Sequence, residues 1–117
     1  MKAVGLPPVT RLRRAADFTA LRKPTGRLGS PCFRIRYRDN QVGFARLGQA
    51  ISRRVSKRAV DRNRIRRIVR ESFRQARPRL PATDVLIIAE AQAVTRSRVE
   101  LRADLDRLWQ RLAERAR

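Results

Sequence analysis

The sequence predicts an α+β fold, a single-domain sandwich of helices packed on a β-sheet. The chain has 117 residues, enough for one small domain with one core. Segments with helix-like and strand-like apolar spacing follow in the order helix, strand, strand, helix, strand, helix. Because 42% of the residues are hydrophobic and only 5% aromatic, we expect a core of leucine, isoleucine, valine and alanine.

The N-terminal part predicts an arm and a short helix. Residues 1–10 contain two adjacent prolines, so we expect a flexible arm ahead of a domain that spans residues 11–117. Apolar side chains, Phe18 among them, recur at helical spacing in residues 14–22. The proline and glycines of residues 24–29 predict that this helix ends and a loop follows.

Residues 32–38 alternate strictly, which predicts a half-buried strand. One side carries Cys32, Arg34, Arg36 and Arg38, and the other carries Phe33, Ile35 and Tyr37. Residues 39–41 predict a turn, and residues 42–52 predict a second strand that pairs with the first as a hairpin. Within it, Gly43 and Gly48 indicate bulges or close approaches of another backbone.

Residues 57–77 predict a central helix, with Ser56 as the N-cap candidate and Pro78 ending it. At 100° per residue one arc is apolar and comprises Ile65, Ile68, Val69, Ser72, Phe73 and Ala76. The adjoining arc is basic and polar, with Arg64 outside both, and comprises Arg62, Asn63, Arg66, Arg67, Arg70, Arg74 and Arg77. We expect the apolar arc to pack on a sheet while the basic arc stays exposed.

The basic arc is unfavourable for an isolated helix. Four arginines from Arg62 to Arg74 lie four residues apart in one row, and each like-charge pair weakens a helix by about 0.2–0.5 kcal/mol. Solvated helix faces normally mix charges, but here only Asp61 and Glu71 interrupt the arginines. Guanidinium groups aligned along a helix, with a rise of ~1.5 Å per residue, suit a phosphate backbone.

The C-terminal third predicts a strand and a second long helix. Residues 84–90 form an apolar run without alternation, typical of a central strand covered on both faces. Residues 97–115 form the helix, which opens with the S-x-x-E capping box of Ser97 and Glu100. Its apolar stripe comprises Leu101, Leu105, Leu108 and Leu112, with Trp109 beside it. The acids Glu100, Asp104 and Asp106 alternate with arginines, which favours a salt-bridged face over a metal site.

The charge favours a polyanionic partner. Lysine and arginine number 30 against 10 aspartate and glutamate, a formal net charge of +20. A small domain with this charge repels itself, and a polyphosphate backbone is the commonest neutralising partner. Nearly all the basic residues are arginines, which bind phosphate and stack on bases, so the usage suits RNA.

Several functional classes are disfavoured by what the sequence lacks. Without histidine there is no imidazole base, Ser-His triad or histidine metal ligand, and Cys32 alone permits neither an internal disulfide nor a Cys-rich zinc site. We expect Cys32 to be a small buried hydrophobe or a half-exposed thiol. The sequence has no run of 18 apolar residues and no signal-peptide pattern, so we expect a cytoplasmic protein with no membrane partner.

The stretch from Arg62 to Arg74 resembles the signature of the bacterial ribonuclease P protein subunit. That signature is a helical R-N-R-x-[KR]-R stretch with an R-x-x-F ending, matched here by Arg62-Asn63-Arg64-Ile65-Arg66-Arg67 and Arg70-Glu71-Ser72-Phe73. Weaker likenesses flank it in the right order: Arg11-Leu12, Asp17-Phe18, Leu47-Gly48, Ser52-Arg53-Arg54, Leu80-Pro81, Asp84 and the run to Ala89. The resemblance covers roughly residues 11–112.

The resemblance implies a fold and a function. The fold is an α-β sandwich with a four-stranded sheet, whose central helix joins parallel strands by a left-handed crossover, although about 98% of such crossovers are right-handed. The function is that of an RNA-binding subunit that binds the catalytic RNA and the 5′ leader of precursor tRNA. The RNA hydrolyses the leader with bound Mg²⁺, so the resemblance implies no catalytic residue and no metal held by the protein alone.

The resemblance also implies two sets of site residues. The residues that face the catalytic RNA are Arg62, Asn63, Arg64, Arg67, Arg53, Arg54, Lys57 and Arg58. The residues of the leader cleft are Phe18, Arg22, Arg36, Arg66 and Arg70. Phe18 stands where the family has an aromatic that stacks on a base. Arg22 and Arg36 stand where aromatics are frequent, so leader contact here is expected to depend on arginine stacking and charge.

Other readings stay open on the residues alone. A general RNA-binding or ribosome-associated protein has the same composition, and only the motif with its flanking likenesses separates the two. A stand-alone nuclease needs clustered carboxylates or a histidine base, which the sequence does not indicate. A helix-turn-helix DNA binder is disfavoured because strands flank the basic helix, so no DNA partner is expected. Two purely structural alternatives also remain: the arginine arc is an ordinary solvated helix face, and Phe18 belongs to the core.

Overall fold

The computed structural model describes residues 10–12 and 14–115, and these residues confirm the predicted α+β sandwich. The elements are α1 (Ala15–Ala20), β1 (Gly26–Gly29), β2 (Phe33–Asp39), β3 (Arg46–Ala50), α2 (Ala59–Ala76), β4 (Thr83–Ala89) and α3 (Arg98–Arg115). Short 3₁₀ turns span Arg77–Arg79 and Ala91–Thr95. The predicted arm, residues 1–10, lies outside the described residues except for Thr10, which is buried.

The strands form one four-stranded sheet in the order β1-β2-β4-β3. β2 is antiparallel to both of its neighbours, and β3 is parallel to β4. The predicted hairpin between residues 32–38 and 42–52 is therefore wrong, because β4 lies between β2 and β3. A strand that is apolar on both faces is most stable in the middle of a sheet, which explains the central place of β4. The left-handed sense of the β3–α2–β4 connection stays a prediction.

Residues 24–29 were predicted as a loop, but Gly26–Gly29 form the edge strand β1, paired antiparallel with β2. Of the two glycines in this strand, Gly26 has a packing reason. Gly26 pairs with Tyr37, and a Cβ on Gly26 would lie 2.3 Å from the Tyr37 hydroxyl oxygen. The element order is thus helix, strand, strand, strand, helix, strand, helix.

The core lies between the sheet and the two long helices. From the sheet, Phe33, Ile35, Tyr37, Val85 and Ile87 are buried, and the whole predicted apolar arc of α2 is buried as well. The stripe of α3 is buried too, which confirms both helical assignments. The Trp109 ring meets Phe73 edge to face at 5.7 Å between centroids, and its Nε1 donates to Ser72 Oγ at 2.8 Å.

The helix ends differ in how well the sequence indicated them. At α3 the capping box is confirmed, since Ser97 N donates to Glu100 Oε1 and Glu100 N donates to Ser97 Oγ, each at 3.1 Å. At α2 the N-cap is Arg58, and Ser56 does not cap the helix. The Ser56 hydroxyl instead donates to Asp61 Oδ2 at 2.8 Å and accepts from Arg58 N at 3.1 Å.

The carboxylate of Asp104 connects α3 to the loop before β2 through hydrogen bonds. It is buried, and its Oδ2 accepts from the Ser30 hydroxyl and from Cys32 N, while Oδ1 accepts from Arg107. Cys32, predicted on the arginine side of the strand, precedes β2 and is buried. None of the helices in the described ranges is long and apolar enough to cross a bilayer.

Candidate nucleic-acid interface

The exposed side of α2 carries the predicted arginine row, but its members differ in their contacts. Arg62, at the start of the helix, is half-buried, and its Nη1 donates to the carbonyl oxygens of Ser56 and Lys57 at 2.9 and 3.0 Å. It therefore fixes the loop that enters the helix. Arg66 Nη2 donates to the Ile51 carbonyl at 3.3 Å, and its Nη1 to Asn63 Oδ1 at 3.1 Å.

The loop before α2 extends this basic surface. Arg53, Arg54, Lys57 and Arg58 are all exposed. Between them Val55 is buried and anchors the loop in the core. Asp61 lies near by, 4.0 Å from Arg58 Nε, so this carboxylate offsets only part of the local positive charge. The α2 basic surface is defined here as this loop together with the exposed residues Asn63, Arg67 and Arg70.

A groove separates the middle of α2 from the beginning of α3. The α2–α3 groove, with a volume of about 550 Å³, is lined by Arg64, Arg67, Ile68, Arg70, Glu71 and Arg98. Arg64 spans it, since its Nη2 donates to the Arg96 carbonyl at 2.9 Å. The carboxylate of Glu71 accepts from Arg74, and this bond holds the pKa of Glu71 below its usual value. The groove is therefore strongly basic.

The opposite side of the sheet is the open face, partly covered by α1. Register aligns Arg27, Arg36, Leu86 and Gly48 in one row across the four strands, so these residues share one face. Phe18 of α1 packs on Gly48: a Cβ there would lie 2.8 Å from Phe18 Cε1. Phe18, Arg36, Leu86 and Ile88 are half-buried. The face thus combines apolar surface with guanidinium groups.

An ion-pair network fixes α1 over the open face. Arg46 of β3 binds Asp84 of β4 through two bonds of 2.7 and 2.8 Å and lies 3.6 Å from Asp17 of α1. The bond to Asp84 raises the pKa of Arg46 above its ordinary value. Arg38 Nη1 donates to the carbonyls of Ala20, the last residue of α1, and of Lys23 in the following loop, at 3.4 and 2.9 Å. Arg22, one of the predicted cleft residues, is exposed just beyond α1.

The structure brings part of the predicted leader cleft together. Phe18 and Arg36 share the open face. Gln49, the neighbour of Gly48, points to the other face, where its Nε2 donates to the Arg66 carbonyl at 3.2 Å. Arg66 therefore lies across the edge strand β3 from Phe18, whereas Arg70, one turn further on, lines the α2–α3 groove.

The family model described as Ribonuclease P matches residues 6–113, nearly the whole chain. The chain belongs to the ribonuclease P protein family. Its members are the protein component of the endoribonuclease that processes the 5′ ends of tRNA, and this chain is accordingly a subunit of that ribonucleoprotein.

Relatives named ribonuclease P protein component match over almost their full length. The one from Thioalkalivibrio sulfidiphilus is 38% identical over 109 residues, covering 93% of this chain and 91% of the relative. The one from Aliivibrio fischeri is 41% identical over 107 residues, covering 92% of each.

Solved ribonuclease P proteins have the same fold. The Staphylococcus aureus protein superposes with a TM-score of 0.80 at 25% identity, covering 86% of this chain and 93% of that one. The Thermotoga maritima protein superposes with a TM-score of 0.77 at 28% identity, covering 86% and 96%. The four-stranded sheet that the ribonuclease P resemblance implied is thereby confirmed.

Sequence reasoning missed parts of this ribonuclease P surface. Arg98 was assigned no role, because nothing local indicates that the first turn of α3 faces the middle of α2. Leu86 and Ile88 were predicted as fully covered strand residues, yet they lie half-buried on the open face beside Arg36. Arg46 also went unnoticed, since its partners Asp17 and Asp84 are distant in sequence. The strict alternation of β2 was the available signal for an arginine-bearing face.

Proposed function

We propose that this ribonuclease P protein binds the catalytic RNA through the α2 basic surface and receives the 5′ leader of precursor tRNA on the open face. Arg53, Arg54, Lys57 and Arg58 continue directly into the arginines of α2. This run of exposed cations is the observation that carries the proposal. An ordinary solvated face mixes charges and avoids such repulsion. A phosphate backbone along the surface offsets that repulsion and releases counterions.

The open face suits a single strand. Phe18 is half-exposed above Gly48, and stacking of a base on an aromatic contributes about 1–3 kcal/mol. Arg36 lies in the same cross-strand row, separated from Gly48 by Leu86, and its planar guanidinium stacks on bases or binds phosphate. Neither mode selects one base strongly, so we propose that leader binding here depends on charge and stacking rather than on base identity.

We propose that Mg²⁺ is held mainly by the catalytic RNA. Mg²⁺ bound there would supply an activated water and charge stabilisation for the leaving oxygen. In the part of the chain that the structure describes, no three cysteine or acidic residues come together as a ligand set. The acids nearest the α2 basic surface are engaged: Asp61 accepts from Ser56, and Glu71 accepts from Arg74. The chain contributes binding and orientation of the two RNAs, and we place this function in the cytoplasm.

A cleavage assay tests the proposal. The purified protein is mixed with a bacterial ribonuclease P RNA and a precursor tRNA, at a Mg²⁺ concentration where the RNA alone is slow. We expect faster removal of the leader with the protein present and no cleavage by the protein alone. An unchanged rate with indiscriminate RNA binding would make the chain a general RNA-binding module. Cleavage by RNA-free protein would contradict the assignment of chemistry to the RNA.

A further inference from the structure

The R-N-R motif contains arginines whose guanidinium groups bind the protein itself. Arg62 donates to the carbonyls of Ser56 and Lys57, and Arg64 donates across the α2–α3 groove to the carbonyl of Arg96. The Arg64 bond joins residues 32 positions apart, so it sets the position of the segment that leads into α3. Arg62 and Arg64 therefore each have a structural contact within the protein, made through one nitrogen of the guanidinium group.

The groove contains other arginines that are free. Arg67, Arg70 and Arg98 line it, and their guanidinium groups make no hydrogen bond or ion pair with any residue that the structure describes. Arg67 and Arg98 are exposed on opposite walls, one from each helix. Unpaired cations brought together by two packed helices repel one another, and a bound anion removes this cost.

The other groups in the groove do not provide that anion. Glu71 is the carboxylate of the lining and is occupied by Arg74. At the start of α3 the capping box engages two backbone amides. The amide of Ser97 already donates to Glu100, and the amide of Glu100 donates to Ser97. The side-chain donors left free in the groove are guanidinium groups, which bind phosphate through two parallel bonds.

We propose that the α2–α3 groove binds a phosphodiester segment of the catalytic RNA, with Arg98 of α3 and Arg67 of α2 as the contacting residues. In this proposal Arg64 is a positioning residue that holds the α3 wall in place through Arg96. The inference rests on the proposed function and adds a second helix to the RNA surface.

The first test compares Arg98→Ala with Arg115→Ala. Both substitutions remove one exposed arginine from α3, but Arg115 lies 17 residues away, about 25 Å along the helix. Binding of a fluorescent bacterial ribonuclease P RNA is measured over a series of salt concentrations. We expect Arg98→Ala and Arg67→Ala each to weaken binding by about three- to tenfold and to lower the salt slope by about one unit. Arg115→Ala is expected to match the parent protein.

The second test concerns Arg64. If Arg64 acts through the α3 wall, Arg64→Ala and the double variant Arg64→Ala/Arg98→Ala bind the RNA within about twofold of each other, because both lack the same contact. Hydrogen exchange of the amides in residues 97–101 should be faster in Arg64→Ala and unchanged in Arg67→Ala. The positioning role would be overturned if the double variant lost RNA affinity by the product of the two single losses and hydrogen exchange in residues 97–101 of Arg64→Ala were unchanged.

The outcomes separate this inference from the function on which it rests. If the parent protein accelerates leader removal but Arg98→Ala binds the catalytic RNA normally, the groove proposal is overturned and the proposed function stands. If Arg98→Ala weakens binding of precursor tRNA alone, the groove belongs to the substrate and the proposal is again overturned. If the parent protein itself shows no preference for the ribonuclease P RNA, the proposed function fails first.

Discussion

The arginines of α2 differ in the atoms that their guanidinium groups contact. Those of Arg62, Arg64 and Arg66 reach backbone carbonyls in neighbouring loops, whereas those of Arg67 and Arg70 are left free of described partners. Substitution in the first group disturbs local structure as well as charge. Substitution in the second group removes charge alone. A lysine is a poor substitute in the first group, because it lacks the planar fork of donors.

Phe18 allows a test of the open face at a single residue. Phe18→Ala should weaken binding of precursor tRNA by about 1–3 kcal/mol, because a leader base loses the aromatic ring on which it stacks. Binding of mature tRNA, which has no leader, should be unchanged. Both affinities are measured with the assembled ribonucleoprotein, and unfolding is followed by circular dichroism.

The matched control for Phe18 is Leu12→Ala. Leu12 also packs against Gly48 but is buried, so its truncation should lower the free energy of unfolding by about 2–5 kcal/mol. Leader selectivity should be unaffected. Equal losses for mature and precursor tRNA in Phe18→Ala, with a collapse of stability like that of Leu12→Ala, would place Phe18 in the core.

At the scale of the element, α1 depends on the sheet beneath it. It has only six residues, too few to be stable alone, and none of them is fully buried. Its place is set by Phe18 on Gly48, by Asp17 beside Arg46, and by the bonds from Arg38 to the carbonyls of Ala20 and of Lys23, which follows the helix. The wall of the open face is therefore built from residues of β2 and β3 as much as from the helix itself.

The start of α3 gives a pH prediction. Hydrogen bonding to the Ser97 backbone lowers the pKa of Glu100 below its ordinary value. A lowered pKa in the folded state means that the carboxylate stabilises the fold above the unfolded value of about 4.3, and that this contribution is lost as pH falls through the folded pKa. Glu100→Gln should therefore lose less stability than the parent protein when urea unfolding at pH 7 is compared with unfolding at pH 3.

Glu114→Gln is the control for that comparison. Glu114 is exposed near the other end of α3 and is contacted by Gln110 at 3.5 Å. We expect it to follow the parent protein at both pH values. If Glu100→Gln shows the same acid sensitivity as Glu114→Gln, the capping carboxylate does not contribute to the pH dependence.

At the scale of the whole molecule, the net charge of +20 opposes folding and favours RNA binding. A compact domain of this size brings like charges close together, and α2 concentrates them further. Interactions among exposed charges are screened within about 10 Å at 0.1 M salt. Added salt therefore favours folding of the free protein and opposes its binding to RNA.

Salt should therefore raise the melting temperature of the free protein while it weakens RNA binding. The reason is that screening relieves self-repulsion but removes the entropy gained from counterion release. Thermal melts and RNA titrations over the same potassium chloride series measure the two effects. A melting temperature that falls as salt is added would show that attractive ion pairs such as Arg46–Asp84 outweigh the repulsion.

The sequence by itself determined the features that depend on local spacing. The two arcs of α2, the capping box and leucine stripe of α3, the alternation of β2 and the family motif are all periodicities or short patterns, and the structure and comparisons bear them out. Tertiary structure alone decided the insertion of β4 between β2 and β3, the edge strand β1 and the bond from Arg64 to Arg96. Strand order and the reach of a guanidinium group depend on which distant segments pack together, and local patterns do not carry that information.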